Sequence, residues 1–290
     1  MQETPPLLDI VIVNYNSTDR LLNCLSSIHR SLGNLSVKIL VEDNASTDGV
    51  DRITKLFPEV QLTENTVNLG FAKAVNQSLR KGCSPYVILL NPDTLIVSDF
   101  FDPAIEFMEQ HSDVGVLGPK ILDPDGSVQG SARSFPTPLT AIFGRTSLLT
   151  RLYPNNPISR QNILTAGFDN QAIVPVDWVS GAGMLVRRKA IDAVGLMDER
   201  FFMYWEDADW CKRMWEAKWK VIYYPAISLT HHVGTSSKKR FFRSAFEFHR
   251  SAFNLYRKHT AKAVFYPMLP ILTAGLGLRF LLILLRGKKA

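Results

Sequence analysis

Cysteine is scarce in this chain: Cys24, Cys83 and Cys211 are the only three in 290 residues, far apart and without metal-type spacing. That rules out a disulfide framework or a thiolate metal centre and suits a reducing cytosol. No G-x-G-x-x-G follows the first apolar run, where the turn reads Asn14-Tyr15-Asn16-Ser17, and no G-x-x-x-x-G-K-[ST] occurs anywhere. Both familiar phosphate-binding loops are therefore missing, and with them the usual dinucleotide and phosphate-loop enzymes. There is no internal repeat and no low-complexity tract. The N-terminus, Met1 to Pro6, is polar and leads straight into a strand, so no signal peptide is expected. Acid is nearly absent from the C-terminal part. From Lys238 onward 12 Lys/Arg face one acid, Glu247, which leaves 21 basic and 26 acidic residues in the rest. An acidic body with a basic tail argues against nucleic acid as a partner and for a tail that meets an anionic surface.

What is present is a globular composition, 46% hydrophobic and 21% charged, long enough for one large domain and an appendage. The first half alternates strands and helices. Strands are expected at 9–13, 37–41, 60–63 and 86–90, and helices at 17–32, from about Thr47, and at 70–81. Apolar strands separated by helices imply an α/β fold with a mostly parallel sheet covered on both faces. The stretch from Pro119 to Pro175 is less regular. Asp123-Pro124-Asp125-Gly126 signals a hairpin turn, and a Pro- and Asn-rich segment from Ser134 to Asn162 reads as an inserted, partly mobile loop over the site. Strand character returns around Gly181-Ala182-Gly183, which would permit close backbone approach to a substrate. A helix follows at 208–217, then two short strands at 221–224 and 227–230, ending at His231-His232.

In parallel sheets ligands bind where loops leave the C-terminal strand ends. Here those ends carry Asn14-Tyr15-Asn16, Glu42-Asp43-Asn44, Asn65 to Asn68, and Asn91-Pro92-Asp93. Asn and Asp are common in turns, but four clusters on one sheet edge point to a nucleotide site. Without a glycine-rich loop, a divalent ion is the simplest way to neutralise a diphosphate, with Asp93 and His231 as hard-oxygen and imidazole ligands. The densest chemistry lies in Phe201 to Arg213, where Glu206, Asp207 and Asp209 occupy four positions beside Trp205 and Trp210. Crowded acids next to aromatics have raised pKa values or require cationic partners. Trp178 and Trp205 suit stacking on sugar faces or serve as core, whereas Trp215 and Trp219 read as helix packing.

Six segments in order resemble the GT-A-fold family 2 glycosyltransferases: DIVIVNYNS at 9–17, VEDNASTDG at 41–49, NLGFAKAVN at 68–76, LLNPDT at 89–94, WVSGAGMLVR at 178–187, and Gly195 to Arg213. The similarity covers roughly residues 8–237 and is nearest to bacterial rhamnosyltransferases that extend lipid-linked glycans. It implies a Rossmann-like GT-A domain over 1–237 that binds the donor through Asn14, Asn16, Asp43, Asn44, Asn68, Gly70, Lys73, Asn76 and Asp93. Asp207 takes the general-base position, Asp93 and His231 the metal positions for Mg²⁺ or Mn²⁺, and Trp178, Gly181, Trp205 and Glu206 the acceptor side. Asn91 departs from the family, in which many members carry Asp there, and leaves one carboxylate on the metal rather than two. The implied reaction is inverting transfer, L-rhamnose from dTDP-L-rhamnose to a polyprenyl-diphosphate-linked saccharide in cell-envelope synthesis. A UDP-sugar-dependent transferase of the same fold and an inert sugar-nucleotide-binding scaffold are the alternatives.

Residues 238–290 form the expected tail. Lys238 to His259 repeats Phe241, Phe242, Ala245, Phe248, Ala252, Phe253 and Tyr256 at helical spacing, and Ala263 to Leu285 adds 23 mostly apolar residues broken by Pro267, Pro270 and Arg279. Arg279 favours an interfacial, monotopic helix over a transmembrane one. A dimerisation helix, and hence a homo-oligomer, is the third reading. The expected location is the cytoplasmic face of the bacterial inner membrane.

Overall fold

The computed structural model describes residues 5–97, 99–136, 171–232 and 241–287. The expected loop over the site falls mostly at 137–170, outside the described residues. The N-terminal half follows the sequence pattern closely. β1 (Leu8–Asn14), β2 (Val37–Asp43), β3 (Gln61–Glu64) and β4 (Tyr86–Leu90) form parallel pairs in the order β3-β2-β1-β4. They are linked by α1 (Thr18–Ser31), α2 (Asp51–Leu56) and α3 (Phe71–Lys81). Every residue of β1 is buried because side chains alternate between two covered faces. Ile10 and Ile12 join Leu21, Leu25 and Ile28 of α1 in one core. Val11 and Val13 join Ala72, Val75 and Leu79 of α3 in the other.

Beyond β4 the sheet becomes mixed. β5 (Thr94–Ile96) and α4 (Phe101–Gln110) lead to β6 (Val114–Leu122), then the short β7 (Ala132–Arg133), β8 (Val174–Pro175) and β9 (Trp178–Val179). β10 (Gly183–Arg187) lies antiparallel between β4 and β6 and runs into α5 (Arg188–Val194). Gly183 is required by packing. A Cβ there would lie 2.6 Å from the Leu229 side chain. The expected Asp123–Gly126 turn closes through Gly126 N–H to Asp123 O, with Leu122 bridging Val128.

After α6 (Glu206–Glu216), the two short strands expected at 221–230 are one strand, β11 (Lys220–His231). Its register against β6 shifts between Tyr224 and Ser228, and this irregularity absorbs Pro225 without ending the strand. β5 pairs with the end of β11, Thr94 opposite His231, which sets Asp93 beside the His pair.

Two further helices follow, α7 (Phe241–His259) and α8 (Lys262–Gly287). α8 runs continuously through Pro267 and Pro270. Ring contacts of Phe253 with Phe265 (5.9 Å) and of Phe246 with Phe280 (6.4 Å) show that later residues of α8 meet earlier residues of α7. The pair is an antiparallel hairpin. The change of composition at 237/238 is crossed by contacts. Leu255 belongs to the same core as Trp210 and Met214, and Ser251 Oγ donates to Met203 O at 2.9 Å.

Candidate active site

The sheet edge chosen by the Asn/Asp loops opens onto a cavity of about 440 Å³. Asn91, Asp93 and His231 line it together with Gly181, Glu206 and Asp207. Asn91 arrives from the end of β4 and His231 from the end of β11. His231 Nε2 lies 3.2 Å from Asp93 Oδ1 and 3.1 Å from Asn91 Nδ2.

Gln129, which the sequence reading passed over, fixes that imidazole. Its Nε2 donates to Asp123 Oδ1 (2.7 Å) and to His231 O (2.8 Å), so its Oε1 must accept from His231 Nδ1 at 3.1 Å. With the proton on Nδ1, the Nε2 lone pair accepts from Asn91 Nδ2–H at 3.1 Å and lies 3.2 Å from Asp93 Oδ1, so a cation that displaced the Asn91 N–H would find both atoms within reach. One carboxylate, one oriented imidazole and the adjacent Asn91 amide oxygen would fit a divalent ion that takes its remaining ligands from elsewhere. Among the described residues no group of three or more His, Cys, Asp or Glu forms a self-sufficient metal cage. Arg20 adds positive charge here, its Nη1 being 3.5 Å from Asp93 Oδ2 and 3.0 Å from His232 O.

The three clustered acids of α6 have three different environments. Asp207 accepts from Gly181 N–H at 3.1 Å and from Ala208 N–H at 2.8 Å. Burial pushes its carboxyl above the usual aspartate range, and these backbone donors only partly offset that. Glu206 is pushed well above the carboxylate range by burial and then by the adjacent Asp207 charge. It is 7% exposed, and its Oε2 has no partner among the described residues. Trp205 Nε1 is likewise unpartnered among them. Both atoms are shut off from solvent, although other atoms of Glu206 and Trp205 line the cavity.

Asp209 faces the other way. It is fully buried and ion-paired with Arg213 Nε (3.0 Å), Lys258 Nζ (2.8 Å) and His259 Nε2 (2.7 Å). Burial pushes its pKa up, but the His259 and Lys258 hydrogen bonds outweigh it and hold the carboxyl below its usual value. The chain enters α6 through Tyr204 (φ 71°) and Trp205 (φ 69°), two successive non-glycine residues in the left-handed region. Strain of this kind persists where surroundings over-determine it, often at functional sites.

Of the other expected site residues, Asn68, Trp178 and Trp205 line the cavity, and the two Trp rings lie 5.9 Å apart. Trp178 is both core and wall: 6% exposed, with Arg133 over its ring at 5.1 Å.

Several expected donor residues are not brought to the lining. Asn14 is buried and donates from Nδ2 to Asp43 Oδ1 at 2.8 Å. Asp43 is 2% exposed and closes a turn by accepting Ser46 N–H at 2.8 Å. Asn16 is exposed at φ 48° and accepts from Thr47 N–H. Asn44 is buried, donating to Gly70 O at 3.2 Å. Lys73 is exposed, its charge acting on Glu199.

Asn76 clamps α3 to the 197–199 segment, donating to Met197 O (2.9 Å) and Glu199 Oε1 (3.0 Å) and accepting from Met197 N (3.0 Å). Both polar atoms of that amide are satisfied within the fold. Gly70 is also a packing residue. At φ 85° it lets Phe202 O accept from Phe71 N–H at 2.7 Å, where a Cβ would stand 2.5 Å from that oxygen.

The model of glycosyl transferase family 2 matches residues 9–194. The chain is 32% identical over 247 residues to the N-acetylglucosaminyl-diphospho-decaprenol L-rhamnosyltransferase of Mycobacterium tuberculosis, covering 80% of this chain and 78% of that one. Rhamnosyltransferase WbbL of Escherichia coli is 26% identical, over 83% and 88% of the two chains. Among solved structures, the mannosyltransferase PcManGT of Pyrobaculum calidifontis with GDP-Man and Mn²⁺ matches at TM-score 0.58 and 18% identity, over 99% and 74%. GalNAc-T7 with UDP, GalNAc and Mn²⁺ matches at TM-score 0.58 and 15% identity, over 80% of this chain but only 45% of that one. These structures establish the GT-A fold. The chain belongs to glycosyl transferase family 2 and is a glycosyltransferase.

Proposed function

We propose that the chain is an inverting transferase that moves a sugar, L-rhamnose from dTDP-L-rhamnose, onto a saccharide carried by a polyprenyl diphosphate in cell-envelope synthesis. The observation that carries this reading is the placement of Asp207. A desolvated carboxylate with raised pKa shares one cavity with the Asn91–Asp93–His231 group. The names of the mycobacterial and Escherichia coli relatives support rhamnose, and the mycobacterial name supports a lipid-diphosphate acceptor.

In this mechanism Asp207 takes the proton of the acceptor hydroxyl as that oxygen attacks the anomeric carbon. The bond to the nucleoside diphosphate breaks on the opposite face, and one base on one face gives inversion. Glu206, kept neutral by burial, and Trp205 border the acceptor sugar. Trp178 and Trp205 pack on its face. Asp93 and His231 would hold Mg²⁺ or Mn²⁺, which when bound neutralises charge on the leaving diphosphate. Arg20 assists from α1.

The tail supports a monotopic placement on the cytoplasmic membrane face. α8 lies back along α7, and its outer residues Tyr266 (62%), Ile271 (72%) and Leu278 (60%) are exposed. Its apolar span, Lys262–Leu281, also has the length to cross a membrane, and only 6% of that window is buried.

Calorimetric titration of the donor tests the metal assignment. Asp93→Ala should weaken donor binding about tenfold or more in Mg²⁺ or Mn²⁺, with a milder loss for His231→Ala. Donor affinity unchanged by excess chelator would show that Arg20 and backbone donors hold the diphosphate alone.

A further inference from the structure

The tail helices build part of the cavity that the sequence reading assigned wholly to the N-terminal body. Arg243, Ser244 and Phe248 of α7 line it directly. A wall of three aromatic rings runs from Trp178 to Trp205 (5.9 Å) and on to Phe248 (5.4 Å). Guanidinium groups bracket this wall, Arg133 over Trp178 at 5.1 Å and Arg279 of α8 over Phe248 at 5.2 Å. Arg243 sits over Phe202 at 4.8 Å, inside the same lining. Arg279 reaches this rim because the hairpin carries α8 back along α7, as the His249–Phe280 contact at 5.5 Å also shows.

The wall thus has a direction. Its Trp178 and Trp205 end lies beside Asp207, where a sugar hydroxyl must be. Arg279 stands over its Phe248 end, Arg243 enters the lining from the same helix as Phe248, and Leu278 beside Arg279 belongs to the exposed apolar face of α8. A ligand matching this order has a sugar, then a concentrated negative charge, then a hydrocarbon chain. Asp93 and Asp207 line the cavity too, so an anionic ligand would be repelled without the arginine cations.

Resting on the transferase reading above, we propose that Arg243 and Arg279 bind the diphosphate of the lipid-linked acceptor, so that the tail helices supply an acceptor subsite as well as an anchor. Guanidinium groups suit this task because they stay charged and pair with phosphate oxygens by two parallel N–H bonds. Parking on aromatic rings holds both side chains at the rim. The saccharide then lies along Trp205 and Trp178 with its hydroxyl at Asp207, and the isoprenoid leaves along α8.

Full-length Arg243→Gln and Arg279→Gln test this with two acceptors bearing the same saccharide, one on a polyprenyl diphosphate and one on a neutral alkyl group. Each variant should raise KM for the diphosphate acceptor about tenfold or more, with kcat, donor KM and the neutral acceptor little changed. Arg243→Lys should recover part of the loss. Arg250→Gln, an exposed charge on the same helix, should change none of them. Equal losses on both acceptors would mean a structural role, and a raised donor KM would mean that the donor diphosphate is held here; either overturns the proposal.

Binding of farnesyl diphosphate, farnesol, inorganic pyrophosphate and phosphatidylglycerol vesicles, measured without any donor, separates this proposal from the transferase reading. Loss of farnesyl diphosphate binding alone in the variants upholds the subsite even if no donor is turned over. Loss of vesicle binding alone makes these arginines headgroup contacts and overturns it.

Discussion

Asp207→Asn should lower transfer by about two to four orders of magnitude while leaving donor affinity nearly unchanged, since loss of a general base typically costs that much. The parent should lose rate on the acid side with an apparent pKa above the ordinary aspartate value, because burial raises Asp207. That apparent value belongs to the Glu206–Asp207 pair rather than to either residue alone. The acid limb should be absent from the residual activity of the variant. Stability separates catalysis from misfolding. A carboxyl whose folded pKa is raised contributes stability that is present below its unfolded pKa and lost as pH rises through the folded value. At neutral pH and above, Asp207→Asn therefore removes an unfavourable buried charge and loses one backbone hydrogen bond, effects of order 1 kcal/mol with opposite sign. Tm should stay within a few degrees of the parent, and near-parent turnover would assign the base elsewhere.

The opposite pattern is expected two residues away. Asp209→Ala leaves Arg213, Lys258 and His259 facing one another without their shared carboxylate. Removing one partner from a buried ion cluster costs about 3–5 kcal/mol, or roughly 10 °C in Tm for a chain of this size. Asp209 has a lowered folded pKa, so its contribution is present above the unfolded aspartate value and disappears as pH falls through the folded one. The melting difference between parent and variant should be full at pH 7 and shrink in acid. Limited proteolysis should release α7 and α8 more readily from the variant. An unchanged Tm would show that Leu255, Phe248 and Ser251 dock the tail without the ion cluster.

Asp207 and Asp209 illustrate what the sequence could and could not convey. Their crowding among aromatics was legible, as was the need for raised pKa values or cationic partners. Residues two apart on a helix point to different sides, however, so one acid faces the cavity and the other the tail. Arg213 is a local i,i+4 partner of Asp209, but Lys258 and His259 lie some 50 positions further on, in the amphipathic helix, and no local pattern announces them. Of the four parallel strands, β1 and β4 were readable because their apolar runs are continuous and buried throughout. β6 was not, because Gly115, Gly118 and Pro119 mimic a loop. Yet a Cβ at Gly118 would lie 2.5 Å from Val179, so that glycine is there for close packing. Asn76 and Gly70 match a family motif, and in the structure both fasten α3 to the segment leading into α6. Gln129 and Arg133 come from the irregular region after the hairpin, where residue type alone gave no reason to single them out.

The central claim is that Asp207 and the Asn91–Asp93–His231 group serve one glycosyl transfer. Incubating the full-length protein with a lipid-diphosphate saccharide and a panel of dTDP-, UDP- and GDP-sugars, with product mass and anomeric configuration read out, tests it most directly. The account predicts a product one deoxyhexose heavier with dTDP-L-rhamnose, of inverted configuration, and lost in Asp207→Asn. Product of retained configuration, or equal yield from the variant, would contradict it.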